Sequence, residues 1–238
     1  MKAALLPALA CLCVSALSAC SSAPEPAIVD PVIADPVIDP DLPVVEIDPG
    51  LPVVELVGDW PYFDGLDAVI ARSDAVVTAT FLSSKSTVVY PDTSGTDPET
   101  NPQAGVDLST LSPEQRARFG VPATVSLVRI DSCLRGSLRA GDTISIVQTG
   151  GTRDGVRYRD NSTTLLGEAP SPQLVLVLRQ NADGTYSTVD PVLGLLAKDG
   201  DAVSFFKPNL VDAASLQITS MSQLSAAVEQ ASVGATAD

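Results

Sequence analysis

Five consecutive aliphatic residues, Leu174-Val175-Leu176-Val177-Leu178, stand in this chain between polar neighbours. A run that short, apolar on both alternate faces, predicts a central β-strand covered on each side. Further strands are predicted at Ala75 to Leu82, Thr124 to Ile130, Thr143 to Thr149, Val156 to Arg159, Tyr186 to Val189 and Val203 to Phe206. Some of them alternate with period two, as Val77, Ala79 and Phe81 do. Gly150-Gly151, Asp154-Gly155, Asp183-Gly184 and Asp199-Gly200 tolerate positive φ and predict hairpins, hence an antiparallel sheet. Within 124–130, Val125 and Leu127 share one face while Val128 and Ile130 occupy the other, so a bulge or bend is expected there. A strand curved in that way suits a small closed barrel.

Two helices frame these strands. A short one is predicted at Leu66 to Arg72. A second opens on the capping box Ser220-Met221-Ser222-Gln223 and places Met221, Leu224, Ala227, Val228 and Ala231 on one face. Between the first two long strands, Tyr90 to Gly120 forms a polar insert with a helical turn at Ser112 to Phe119. Its acids Asp92, Asp97 and Glu99 offer oxygen ligands for calcium or simply a solvated Pro/Thr/Asp loop, and their spacing does not match an EF-hand.

Residues 21–56 read SSAPEPAIVDPVIADPVIDPDLPVVEIDPGLPVVEL, with a proline every few residues and no Lys or Arg. Asp39-Pro40-Asp41-Leu42-Pro43-Val44-Val45-Glu46-Ile47 is followed directly by its near copy Asp48-Pro49-Gly50-Leu51-Pro52-Val53-Val54-Glu55-Leu56. Proline fixes φ and extends its predecessor, and like charges repel, so an extended acidic tether is expected. The Val-Val pairs leave open a second reading, in which parts of it add as strands to a partner's sheet edge.

Ahead of the tether, Lys2, the apolar run Ala3 to Leu17 and the small residues Ser18 and Ala19 form a secretory signal pattern, too short and too Pro-interrupted for a comfortable membrane span. Leu17-Ser18-Ala19-Cys20 resembles the lipobox of bacterial lipoproteins. That resemblance implies cleavage before Cys20, lipid on its sulfur and acyl anchorage to the membrane, two or more chains being needed for a stable hold. Ordinary cleavage after Ala19 is the alternative. Cys11 and Cys13 leave with the leader on either reading, and Cys133 then has no partner for an intramolecular disulfide.

The chain has 238 residues, 29 acidic against 14 basic, and no histidine. Its net charge of -15 disfavours nucleic acid as a partner. Without histidine, Ser-His-Asp and Cys-His nucleophiles cannot be built, nor can His-containing zinc sites. No Gly-x-Ser-x-Gly, phosphate-cradling loop or His-Glu-x-x-His motif is present, so no catalytic, cofactor-binding or metal-ligating residue is nominated. Arg153, Arg157 and Arg159 make a small basic hairpin interleaved with Asp154 and Asp160, expected as a solvated face.

The run Ile130-Asp131-Ser132-Cys133-Leu134-Arg135-Gly136-Ser137-Leu138-Arg139-Ala140-Gly141-Asp142-Thr143-Ile144-Ser145-Ile146, with Gly150-Gly151 and the later Gly167-Glu168 before the aliphatic strand, resembles uncharacterised secreted bacterial proteins with an OB-like barrel. The resemblance spans roughly Asp74 to Phe206. It implies no established activity, and it places Cys133 at an aliphatic position, hence as a buried, inert thiol.

The expected organisation is a signal peptide at 1–19, a lipid-anchored Pro-rich acidic tether at 20–57, an OB-like β-barrel at 58–212 and a C-terminal helix and tail at 213–238. The expected function is that of a surface-exposed lipoprotein, attached to the membrane through Cys20 and binding an extracytoplasmic protein, peptide or glycan. The alternatives are a hydrolase using paired carboxylates, which needs no histidine, and a purely structural envelope lipoprotein.

Overall fold

The structure, a computed structural model, describes residues 50–58, 60–90, 93, 104–169 and 171–234. The signal segment, Cys20, the tether up to residue 49 and the insert acids Asp92, Asp97 and Glu99 lie outside the described residues.

The fold is mainly β, with ten strands among the described residues: β1 (Val53–Leu56), β2 (Ala75–Val89), β3 (Val121–Arg135), β4 (Thr143–Thr149), β5 (Gly151–Arg153), β6 (Val156–Asp160), β7 (Gln173–Gln180), β8 (Tyr186–Thr188), β9 (Leu195–Asp199) and β10 (Ala202–Phe205). Helix α1 (Leu66–Ala71) precedes β2, α2 (Pro113–Ala117) lies in the insert, and α3 (Met221–Gly234) follows the strands. The strands form a seven-stranded sheet, β10-β9-β7-β2-β3-β4-β8, and a three-stranded sheet, β1-β6-β5. Because β8 also pairs with β7, five pairings run in a circuit, β2 to β3 to β4 to β8 to β7 and back to β2. One side of that circuit is thin. Strands β4 and β8 meet only at Ile146 and Tyr186, in parallel, so the circuit closes through one residue pair and the closed barrel expected from the sequence is not established.

The aliphatic run explains this architecture. In β7, Leu174, Leu176 and Leu178 pack among Val77, Ile130, Ile146 and Tyr186 inside the curve, while Val175 and Val177 face outward into the layer made by α1 and α3. All five are fully buried, each worth about 1.5–3 kcal/mol relative to exposure. The inner face of β2 is lined by the small residues Ala75, Val77 and Ala79, which let the strands close tightly. Curvature comes from register shifts: Val76 pairs with Arg135 but Val77 with Cys133, Thr78 with Ser132 but Ala79 with Ile130, and Phe81 with Val128 but Ser83 with Leu127. Leu134 and Asp131 on β3 and Leu82 on β2 are the extra residues, and the first two lie beyond the stretch where a bend was expected.

At 15 residues each, β2 and β3 outrun their predicted bounds. The outer half of β2 is rich in Ser and Thr, carries little apolar periodicity and is sustained by its pairing with β3, whereas the matching part of β3 also buries Ala123, Thr124 and Ser126. The Asp154-Gly155 hairpin forms as predicted, both residues holding positive φ (52° and 74°) as a two-residue turn requires. Gly150-Gly151 is not a hairpin: Gly150 turns the chain out of β4 and Gly151 opens β5. The capping box of α3 is present, with Gln223 N donating to Ser220 Oγ and Ser220 N to Gln223 Oε1.

One boundary moves. The tether was expected to continue to residue 57, but Val53–Leu56 is β1, paired in parallel with β6 from Val53–Arg157 to Leu56–Asp160. The prolines do not prevent this, because Pro52 lies just before the strand and contributes only its carbonyl, which accepts from Arg157 N at 2.8 Å. The Val-Val pair thus joins a sheet of this same chain.

Candidate functional site

Beyond Ile146 and Tyr186 the strands β4 and β8 part, and a cleft of about 320 Å³ opens between them. That volume lies at the lower end of the range, about 300–1,000 Å³, usual for small-ligand sites. Val147, Gln148 and Thr149 from β4 form one side, Ser187 and Thr188 from β8 the other. Asn181, Asp183 and Thr185 of the β7–β8 turn close one end, Thr163 comes from the loop after β6, and Trp60 completes the wall.

Trp60 is put there by β1. Leu56, the last residue of that strand, pairs with Asp160, and four residues further on the Trp60 indole N–H donates to Asp160 Oδ2 at 2.7 Å. Asp160 is 4% exposed. It also accepts from the Ser162 N–H at 2.7 Å and from the Ser162 hydroxyl. Burial alone would raise its pKa, but the hydrogen bonds from Ser162 and Trp60 outweigh it and hold the carboxyl below its ordinary value of 3.8. The Lys207 amino group donates to the carbonyls of Asn161 and Thr163, fixing the same loop. Desolvation, then the nearby Arg159, lowers the Lys207 pKa, opposed by Asp160 and Glu168.

Gln148 is buried and staples that loop to β4: its Nε2 donates to Thr164 O at 2.8 Å and its Oε1 accepts from Leu166 N at 2.9 Å. In the turn, Asn181 Nδ2 donates to Thr185 Oγ1 and Asn181 Oδ1 accepts from Ser187 Oγ, each at 2.9 Å. Asp183 accepts from the Thr185 hydroxyl and N–H, which pull its pKa below the usual carboxylate value. The Thr163 hydroxyl is buried without a hydrogen-bond partner. Apart from Asp183 the lining is uncharged.

The residues singled out in the sequence are placed elsewhere or apart. Cys133 is half-buried, not fully buried, and its thiol donates to Arg135 O at 3.0 Å. The bulges beside it turn it only partly inward. The basic hairpin is only partly a solvated face. Arg157 pairs with Glu168 with both side chains 18% exposed, Arg153 pairs with Asp154 at 3.3 Å and reaches the carbonyls of Ala117 and Gly120, and Arg159 alone is exposed. Among the described residues no group of three or more Cys, Asp or Glu side chains gathers as a metal site. Trp60, a wall of the site, was not singled out in the sequence as a site residue. Its being the only tryptophan in a chain with few aromatics was the one available signal.

No protein-family model matches this chain, and no curated protein matches it.

Proposed function

We propose that this chain is an extracytoplasmic binding module, held to a bacterial envelope by lipid on Cys20 and presenting the Trp60 cleft to its ligand. The observation that carries the binding reading is the cleft itself: concave, walled by one aromatic ring, and lined by aliphatic and uncharged hydrogen-bonding side chains with Asp183 as its one charged residue. Such a lining holds a molecule in place. A paired-carboxylate hydrolase would need two converging acids, and this cleft contains only Asp183, while Asp160 spends its oxygens on Trp60 and Ser162. The turn between β7 and β8 forms one end of the cleft, and loops of this kind are where OB-like barrels commonly take ligands. The anchorage rests on the lipobox pattern and the tether that follows it.

The test is metabolic labelling with a palmitate analogue together with envelope fractionation of the parent and of Cys20→Ser. Label on the parent alone, with release of the variant from the membrane fraction, supports the reading. Equal fractionation with no label on either protein overturns the anchorage. A Trp60→Ala chain that still binds every envelope component the parent binds would remove the cleft from its function.

A further inference from the structure

The chemistry of the cleft specifies its occupant more narrowly, and this step rests on the binding reading above. We propose that the cleft is a subsite for a neutral saccharide, one sugar ring lying against Trp60 with its hydroxyls bonded to Thr149, Thr163, Asn181 and Thr188.

Three features point to this class. The indole of Trp60 is 37% exposed and tied by its N–H to a buried carboxylate, so its orientation is set before a ligand arrives and little rotamer entropy is lost on binding. The face of an aromatic ring carries partial negative charge and attracts the weakly positive C–H groups of a pyranose. Around it stand groups suited to polyols. The hydroxyls of Thr149 and Thr188 make no side-chain hydrogen bond among the described residues, Asn181 keeps one N–H and one lone pair beyond its bonds within the turn, and Thr163 Oγ1 is buried and unpartnered. A hydroxyl that donates and accepts at once answers all of these, and supplying Thr163 with a partner removes the desolvation penalty of a buried, unpaired hydroxyl.

Charge argues against the other classes. An acidic ligand meets Asp183 and a chain of net charge -15 with no cation lining the cleft. A cationic one finds a single carboxylate already bonded to Thr185. For an extended peptide, the cleft offers a short gap between two strands, each already paired on its other side, β4 with β3 and β8 with β7.

Trp60 is the only tryptophan, so its emission reports on this cleft alone. The full chain carrying Cys20→Ser is titrated with neutral tetrasaccharides of glucose, mannose, galactose and N-acetylglucosamine, and with oligogalacturonate and tetra-alanine as acidic and peptide comparators. The expected result is a saturable emission change with at least one neutral tetrasaccharide and none with either comparator. Thr149→Val and Thr188→Val, close in shape to the parent residues, each weaken it three- to tenfold. Trp60→Ala, followed by calorimetry after a melting curve verifies its fold, weakens binding at least tenfold. No response to any neutral tetrasaccharide, or unchanged affinity in Trp60→Ala, overturns the proposal. A response to tetra-alanine or oligogalacturonate alone overturns the saccharide assignment while the binding reading stands.

Discussion

The indole N–H of Trp60 donates to Oδ2 of Asp160 at 2.7 Å, joining two residues one hundred positions apart. Through this bond the strand that ends the tether is coupled to the wall of the cleft, and Gly58 is what lets them meet. A Cβ at position 58 would stand 2.6 Å from Trp60 Nε1 and 2.8 Å from Asp160 Oδ2. Gly58 does not hold a positive φ, so the constraint is steric alone. Gly58→Ala is expected to break the bond, leave a buried carboxylate short of a donor and cost about 1–3 kcal/mol. Urea unfolding with Trp60 emission as the probe checks this, and the emission of the folded variant should move toward the solvated value.

Acid should undo the same contact. The Asp160 carboxyl titrates below its ordinary value of 3.8 in the folded chain, so the unfolded chain binds its proton first as the pH falls. Its stabilising contribution is therefore complete above the ordinary value and is lost as the pH drops through the lower, folded one. The parent should be more stable than Asp160→Asn near neutral pH, and the gap should shrink below 3.8. A gap that is constant with pH would show that the carboxylate charge plays no part.

The repeat in the tether makes a different prediction. Residues 39–47 and 48–56 agree at seven of nine positions, and the second copy supplies β1. Deleting 48–56 brings Ile47 directly before Val57, as Leu56 is now, and sets Val44, Val45 and Glu46 in line with β6. The deletion variant should keep its melting temperature and Trp60 emission close to the parent's. Replacing 51–56 by Gly and Ser, which removes the strand pattern, should shift both. Equal losses in the two variants would show that the first copy cannot take the place of the second.

Arg157 and Glu168 tie β6 to the turn that follows it, with both side chains mostly enclosed. Removing one partner leaves the other charge partly desolvated, so Arg157→Met or Glu168→Gln should each destabilise by about 1–3 kcal/mol. Arg157→Met/Glu168→Gln should lose less than the sum of the two. A double-mutant cycle by urea unfolding measures that coupling.

Much of the fold is legible in the sequence, for physical reasons. The run Leu174 to Leu178 announces a strand buried on two faces because no other arrangement covers five aliphatic residues in a row, and both of its faces are covered. The turns at Asp154-Gly155, Asp183-Gly184 and Asp199-Gly200 were readable from residues that accept positive φ, and each joins two paired strands. Strands β1, β5 and β9 were not foreseen. Two of them have three or four residues, and β1 is mostly exposed, held by its pairing to β6 and not by a buried face. The cleft was hidden for a related reason. Its residues come from β2, β3, β4, β8, the β7–β8 turn, the loops after β6 and β8 and the segment after β1, and only the tertiary pairing brings these together. Gln148, Thr163 and Asp160 belong to residue types that occur on any surface, and their spacing carries no motif.

Strand β1 has a mechanical meaning too. Drag transmitted along the chain from residue 50 meets the four rungs between β1 and β6 before it can reach Trp60. Under the proposed anchorage and binding, those rungs would act as a fuse: modest shear would be absorbed at the sheet edge while the ring keeps its place, and a stronger pull would strip the edge and let the wall of the cleft go.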